Sequence, residues 1–389
     1  MRTPIGWHNL AHDRSRTAVA VAGVTFTLII IFMQVGFIKL VASTATILLE
    51  KLDFDILVLS KDYAYLAQPQ DFAPARLDLA ASVAGVREAV PFYLGNVTWR
   101  NDANPEPEVR EQRRVSLVMG LRLKDRVFRS AAPFDAREVE SHLEALRLPD
   151  TLLVDRQSRP EFLPIDTGRT VEVGTRRATI VGHYTIGSGF SADSSMIVSA
   201  ENFERLFSPG RLEHANLGLL RLEPGADVKA VVAGLRAVLP DDEVQVLTRP
   251  EVEGREVRYW LFSKSIGILF LLGVAVACAV GVVVVFQVLS SDITEHLAEY
   301  ATLKAIGRTG LDVARVVVSQ ALLLGAAAYV PALAVATVLY RVTAAVVLLP
   351  LSMDATIAVA VFVMAILICT ASALVSVRKL HEADPADLF

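Results

Sequence analysis

Cysteine is almost missing from this chain: Cys278 and Cys369 are the only two in 389 residues, and both fall inside long apolar runs. A disulfide framework is therefore excluded for the polar part of the sequence, which must be held by its own apolar core. The motifs of soluble catalysis are missing as well. No G-x-x-x-x-G-K-[ST] loop occurs, so the chain does not cradle nucleotide phosphates in the P-loop manner. Neither H-E-x-x-H nor paired C-x-x-C occurs to hold zinc. Gly187-Ser188-Gly189 lacks the spacing of a G-x-S-x-G nucleophile elbow. His183 has no nucleophile or metal partner near it in sequence and reads as a structural or surface histidine. Asn96-Val-Thr98 matches a glycosylation sequon, a match common by chance. No residue takes a catalytic, cofactor-binding or metal-binding role on these grounds. A net charge of −4, with both signs interspersed, says little about partners.

Charge is also missing over four long stretches, and here the sequence becomes informative. Hydrophobic residues make up 53% of the chain and the mean hydropathy is +0.45, too apolar for an ordinary soluble domain. The excess is concentrated in Ala18–Val41, Ile266–Leu289, Val316–Tyr340 and Ala355–Val377. Each run has more than about 20 residues, which at a helical rise of about 1.5 Å crosses a hydrocarbon core of roughly 30 Å. A buried core helix of a soluble protein rarely runs so long without a charge. The first run exceeds a signal-peptide h-region and is followed by no A-x-A site. The spans are placed at 17–42, 262–290, 314–341 and 354–377. Arg2, Arg14 and Arg16 precede the first, Lys304, Arg308 and Arg315 separate the second from the third, and Arg378 and Lys379 follow the fourth. By the positive-inside rule both termini, the loop 291–312 and the tail 378–389 are cytoplasmic, and 43–259 lies outside an inner membrane. The expected fold is thus four transmembrane helices with a large α/β extracytoplasmic domain inserted between helices 1 and 2.

Within that domain the pattern turns to short β-like runs and amphipathic helices. Asp55–Ser60 reads as a strand, followed by a helix near Leu77–Ala84 and an extended run near Val90–Trp99. A similar order recurs: strand-like Asn216–Leu222, a helix over Asp227–Leu239, and strand-like Val244–Thr248. The later helix puts Val228, Val231, Val232, Leu235 and Val238 on one face. Two strand–helix–strand halves, about 50–99 and 214–250, then flank a β-rich insertion at about 100–200. In that insertion Thr170–Val173, Gly174-Thr175 and Arg176–Val181 suggest a hairpin, and 187–195 a small-residue loop.

Two amphipathic segments lie at the cytoplasmic side. Residues 1–16 read as an in-plane helix, anchoring in lipid or contacting a partner, in which Ile5, Trp7, Leu10 and Ala11 can face lipid while His8, Asn9, His12, Asp13 and Arg14 face water. Asp292–Gly307 has helical periodicity: Ile293, Leu297, Tyr300 and Ala301 share one face, and Asp292, Glu295, Glu299 and Thr302 another. Gly307 suits the left-handed position that ends a helix, and Thr309-Gly-Leu-Asp312 reads as a capping box opening the third span. Periodicity alone permits either a linker lying on the membrane surface or a grip for a partner offering Arg or Lys. Inside the spans, Gln34, Gln287 and Gln320 read as helix–helix hydrogen-bonding groups, and Lys39 as a snorkelling side chain. No chain of buried carboxylates marks an ion pathway.

Glu299-Tyr-Ala-Thr-Leu-Lys-Ala-Ile-Gly307 resembles the hallmark of FtsX-like, MacB-type ABC permeases, and the full run from Asp292 is similar to the DevC branch, permeases of cyanobacterial glycolipid-type exporters. Phe32-Met-Gln-Val-Gly-Phe37, Gly182–Asp193 and Asp384-Pro-Ala-Asp387 resemble that branch as well. The resemblance implies a MacB-like architecture and a permease subunit without its own ATPase motif: two copies would pair as a homodimer with two separate ATPase subunits carrying ATP and Mg. MacB itself carries its nucleotide-binding domain on the same chain, and this sequence departs from that arrangement. Asp292, Glu295, His296, Glu299, Tyr300, Thr302, Leu303, Lys304, Ile306 and Gly307 would form the coupling helix that grips the ATPase. A periplasmic membrane-fusion protein and an outer-membrane channel usually complete such assemblies, which act by mechanotransmission on lipid-like or amphiphilic substrates. A non-exporting FtsX-like regulator of a periplasmic enzyme and a lipoprotein-releasing permease are the alternatives.

Overall fold

The computed structural model describes residues 14–100, 106, 108, 112–187, 193–295, 310–347 and 351–382. In chain order, helix α1 (Arg14–Ala45) is followed after Thr46 by the short α2 (Ile47–Lys51), then β1 (Ile56–Ser60), α3 (Ala75–Ala81), β2 (Val86–Arg100) and β3 (Arg114–Leu121). Next come α4 (Ala136–Glu140), α5 (Leu143–Leu146), β4 (Thr151–Asp155), β5 (Thr170–Val173), β6 (Arg176–Tyr184), β7 (Ser195–Ser199) and α6 (Ala200–Phe207). The chain then forms β8 (Leu217–Leu222), α7 (Val228–Val238), β9 (Val244–Thr248), α8 (Arg249–Phe262), α9 (Ser265–Glu295), α10 (Gly310–Val347) and α11 (Ala355–Glu382). Two compact units divide it, the inserted domain Val41–Lys264 and a helical unit made of the rest.

The helical unit carries four helices long and apolar enough to cross a membrane, over Thr17–Ala45, Ser265–Glu295, Ala314–Val346 and Ala355–Val377. With lipid as apolar as the side chains, such helices associate through close backbone approach and interhelical hydrogen bonds rather than through exclusion of water. Helix α11 packs against both α9 and α10. Gly36 of α1 leaves room for the Tyr340 phenol of α10, which donates to the Phe32 carbonyl. Thr25 Oγ1 donates to the Ala328 carbonyl at 3.2 Å, and Ser372 Oγ to that of Val282 at 3.0 Å. Two expectations change here. Gln34 Oε1 is buried beside Gly273 without a hydrogen-bond partner. Lys39 does not simply snorkel: it pairs with Asp354, whose Oδ1 accepts the Ile357 N–H at 3.0 Å and caps α11.

In the inserted domain β2 is shared between two sheets. Its first half pairs with β8, which pairs with β1, which pairs with β9, all antiparallel. With α3 and α7 as the crossovers, this is a split βαβ arrangement. The second half of β2 pairs with β3, and pairings β3–β7, β7–β4, β4–β6, β6–β5 and β5–β2 close a six-stranded ring. The hairpin β5–β6 turns at Gly174, whose φ of 63° is the left-handed conformation that glycine adopts without a Cβ penalty. Every residue of β1 and β8 is buried, because their sheet is covered on both faces. Leu77, Ala80, Val231, Val232 and Leu235 of α3 and α7 cover one face. Leu48 and Leu49 of α2, Phe54, and Val252 of α8 pack with Leu57, Leu59, Phe92 and Leu219 on the other. The segment that follows α1 and the helix that precedes α9 are therefore rooted in one core. The sequence runs the second span from 262, but α8 is a separate helix: the N–H groups of Ser263 and Lys264 both bond to the Tyr259 carbonyl and end it.

Candidate functional site

Of the expected coupling segment, α9 is described through Glu295. Ile293 is buried, Asp292 half-buried and Glu295 exposed, so the apolar and acidic faces part as the periodicity requires. His296, Glu299, Tyr300, Thr302, Leu303, Lys304, Ile306 and Gly307 lie outside the described residues, as do Trp7 and Leu10; Arg14 opens α1. Among the described residues no group of three His, Cys, Asp or Glu side chains is placed to hold a metal ion. The ring of His183 bonds through Nε2 to the Ile165 carbonyl at 2.7 Å, a structural contact.

Arg249 organises the root of the inserted domain. It is the first residue of α8, and its own N–H donates to the Asp55 carbonyl at 3.2 Å. A helix of five residues such as α2 leaves most of its carbonyls without intrahelical partners. The Arg249 guanidinium meets that need at Leu49 O, at 2.9 Å, and also takes the carbonyls that follow the helix, Leu52 O at 2.9 Å and Phe54 O at 2.7 Å. It also stacks over the Phe54 ring at 3.8 Å, a cation–π geometry that suits a weakly hydrated, planar cation. Arg129 Nε donates to Glu50 O at 2.8 Å from the other side. Burial, then the neighbouring Arg129 charge, push the Arg249 pKa down, and Glu253 at 3.5 Å opposes them. Lys51 is buried with its ammonium on Ala132 O at 3.0 Å, and burial likewise pushes its pKa down.

Two turns further along α8, the Glu256 carboxylate is fully buried. Its Oε1 accepts from the Tyr63 phenol and from the Leu66 N–H at 3.0 Å, while Oε2 has no partner. Burial raises its pKa to about 7, against the opposing hydrogen bonds from Tyr63 and Leu66. At the end of α8 the Tyr65 and Tyr259 rings stack at 4.4 Å, and the Lys264 ammonium lies 4.2 Å from the Tyr65 centroid.

This root has little trace in the sequence. One signal for α8 was present: Thr248-x-x-Glu251 with Pro250 next to the helix start is a helix-opening pattern. The Glu251 carboxylate accepts from the Thr248 N–H and Oγ1–H, both at 2.8 Å, and these bonds lower its pKa. Nothing local pointed to Arg249 or Glu256, whose partners lie about 190 to 200 positions away.

Comparison with known proteins matches the chain in two parts. The model of the MacB-like periplasmic core domain matches residues 17–238, more than half of the chain, and the FtsX-like permease C-terminal model matches 261–385. Among solved structures, the extracellular domain of the noncanonic ABC-type transporter YknZ from Gram-positive bacteria is similar at 14% identity, covering 50% of this chain and 99% of that one with a TM-score of 0.33. The periplasmic region of MacB from Actinobacillus actinomycetemcomitans is similar at 6% identity, covering 53% and 94% with a TM-score of 0.35. No curated protein matches the chain. The four apolar helices and the permease match fit a multi-pass inner-membrane protein. On the two family models, which together take in both of its units, the chain belongs to the MacB-like, FtsX-like family of ABC permeases.

Proposed function

We propose that this chain is the non-catalytic permease subunit of an ABC exporter, moved by ATP hydrolysis on a separate ATPase subunit that carries ATP and Mg. It works as a homodimer of the DevC type, with the inserted domain periplasmic and both termini cytoplasmic. The segment Asp292–Gly307 receives the motion of the ATPase. The inserted domain passes it to a periplasmic membrane-fusion protein and an outer-membrane channel, driving export of a lipid-like or amphiphilic substrate by mechanotransmission.

The observation that carries this reading is the Arg249 clamp. A transmission needs the segment that follows one span and the segment that precedes the next to share a root. Only Thr46 separates α1 from α2, and only Ser263 and Lys264 separate α8 from α9. Arg249 ties α8 to the carbonyls of Leu49, Leu52 and Phe54, so that the chain leaving the first span and the chain entering the second move as one body. Such a packed, hydrogen-bonded element shifts between discrete positions rather than deforming continuously.

The test uses the full chain co-purified with its ATPase subunit in lipid nanodiscs. Hydrogen exchange at amides 47–54 and 249–262 is compared with ATP and Mg and with ADP. An ATP-dependent change in these segments is expected, reduced several-fold by Arg249→Ala with ATPase binding retained. Exchange in the inserted domain that is indifferent to ATP overturns the proposal.

A further inference from the structure

A carboxylate taken out of water keeps its charge only where a cation or a full set of donors compensates for lost hydration. Glu256 has neither. It is 0% exposed, two donors reach Oε1, and Oε2 is unpartnered. The adjacent Arg255 guanidinium is turned to other acceptors, the Gln245 side-chain oxygen and the Tyr63 carbonyl. Among the described residues Glu256 forms no ion pair. The charged and titratable groups around it are Tyr63 from the segment after β1 and Arg255 from α8. Tyr65, Tyr259 and Lys264 follow further along, and β9 contributes the neutral Gln245 amide.

These contacts fasten residues Tyr63–Leu66 along α8 as a strap. The Tyr63 phenol and the Leu66 N–H hold the Glu256 carboxyl, and Tyr65 is clasped by Tyr259 and by Lys264, which donates to its Oη at 3.0 Å. We propose that Glu256 is a positioning residue whose protonation sets how firmly this strap grips the transmission helix: neutral, it stays fastened; ionised, it draws water in and the strap loosens. The sign follows from linkage. The fastened state holds the carboxyl at a pKa of about 7, above the ordinary value of 4.5 that an opened strap restores. The protonated form thus favours the closed strap, and its contribution is full below the ordinary carboxylate range and declines as pH rises through about 7. The consequence for transport rests on the transmission reading, whereas the fastening does not.

Hydrogen exchange of the full chain in nanodiscs, without nucleotide, reads the strap directly. After correction for the intrinsic pH dependence of exchange, opening at amides 63–66 and 256–262 is expected to rise roughly tenfold between about pH 5.5 and 8.5 relative to α7 amides as an internal standard. Glu256→Gln keeps the acceptor for Tyr63 but cannot ionise, and should flatten this rise to less than about twofold. Tyr63→Phe removes a donor that favours the charged form and should move the midpoint to higher pH. Wild-type opening that does not depend on pH, or an equal slope in Glu256→Gln, overturns the proposal. Failure of the transmission reading shows separately, as a missing ATP-dependent change with this pH slope intact.

Discussion

At Arg249 one planar cation serves three carbonyls and an aromatic face, a task few side chains perform. Lysine has three donors on a single nitrogen and no plane to stack, so it cannot reach Leu49, Leu52 and Phe54 together. Removing the guanidinium leaves buried carbonyls unpaired, each costing about 1–3 kcal/mol where water cannot enter. Arg249→Ala should therefore destabilise the purified chain by roughly 2–4 kcal/mol, with Arg249→Lys recovering less than half of that. For a domain of this size the loss corresponds to a fall in Tm of about 5–10 °C. Tryptophan fluorescence during thermal unfolding in detergent checks it, since Trp260 is buried in the same helix. An unchanged Tm in Arg249→Ala would mean that the carbonyls find other partners and that the clamp is not one.

Elements meet closely where α3 crosses β8. A Cβ on Gly218 would collide with the Leu77 side chain and lie 3.1 Å from Val58 Cβ, so the helix sits on the strand because residue 218 has no side chain. Gly218→Val should push α3 off the sheet and cost about 2–3 kcal/mol through overpacking, measurable as a lower urea midpoint with an unchanged m-value. How legible such elements were in the sequence depends on whether their cause is local. Asp55–Ser60 could be read as a strand because burial on both faces makes it continuously apolar. The face of α7 was readable through Val231, Val232 and Leu235, yet Val228 and Val238, at its two ends, stand 40% and 46% exposed. The closed ring was not legible, since it depends on β2 changing partners midway along its 15 residues. Helix α8 was hidden by its polarity: Arg249, Glu251, Glu253, Arg255 and Arg258 mask an apolar side of only Val252 and Trp260. Of the coupling segment, the alternation of Ile293 with Asp292 and Glu295 was readable from period alone, whereas the root that would receive its motion joins residues about 200 positions apart.

At the scale of the whole molecule, the proposed transmission divides one task between the two units. The helical unit has apolar spans joined by the acidic stretch that begins at Asp292; the inserted domain has a buried core into which the segments after α1 and before α9 are built. The family implies an ABC ATPase partner, and on the proposed reading the place where its work enters must attract that protein. Glu295 and Glu299 are like charges one helical turn apart, which disfavours the segment in isolation by a few tenths of a kcal/mol and favours a partner presenting Arg or Lys. Glu299→Lys reverses one of those charges. The expected outcome is at least a tenfold loss of ATPase subunit co-purifying with the tagged chain, while the chain still reaches the membrane and its Tm stays within about 2 °C of wild type. Arg249→Ala should do the reverse, keeping the ATPase and losing the response of the inserted domain. The two variants thus separate entry of the motion from its delivery. If Glu299→Lys retained the ATPase at wild-type stoichiometry, the acidic face would be a membrane-surface linker, and the site of entry would have to be sought elsewhere on the cytoplasmic side.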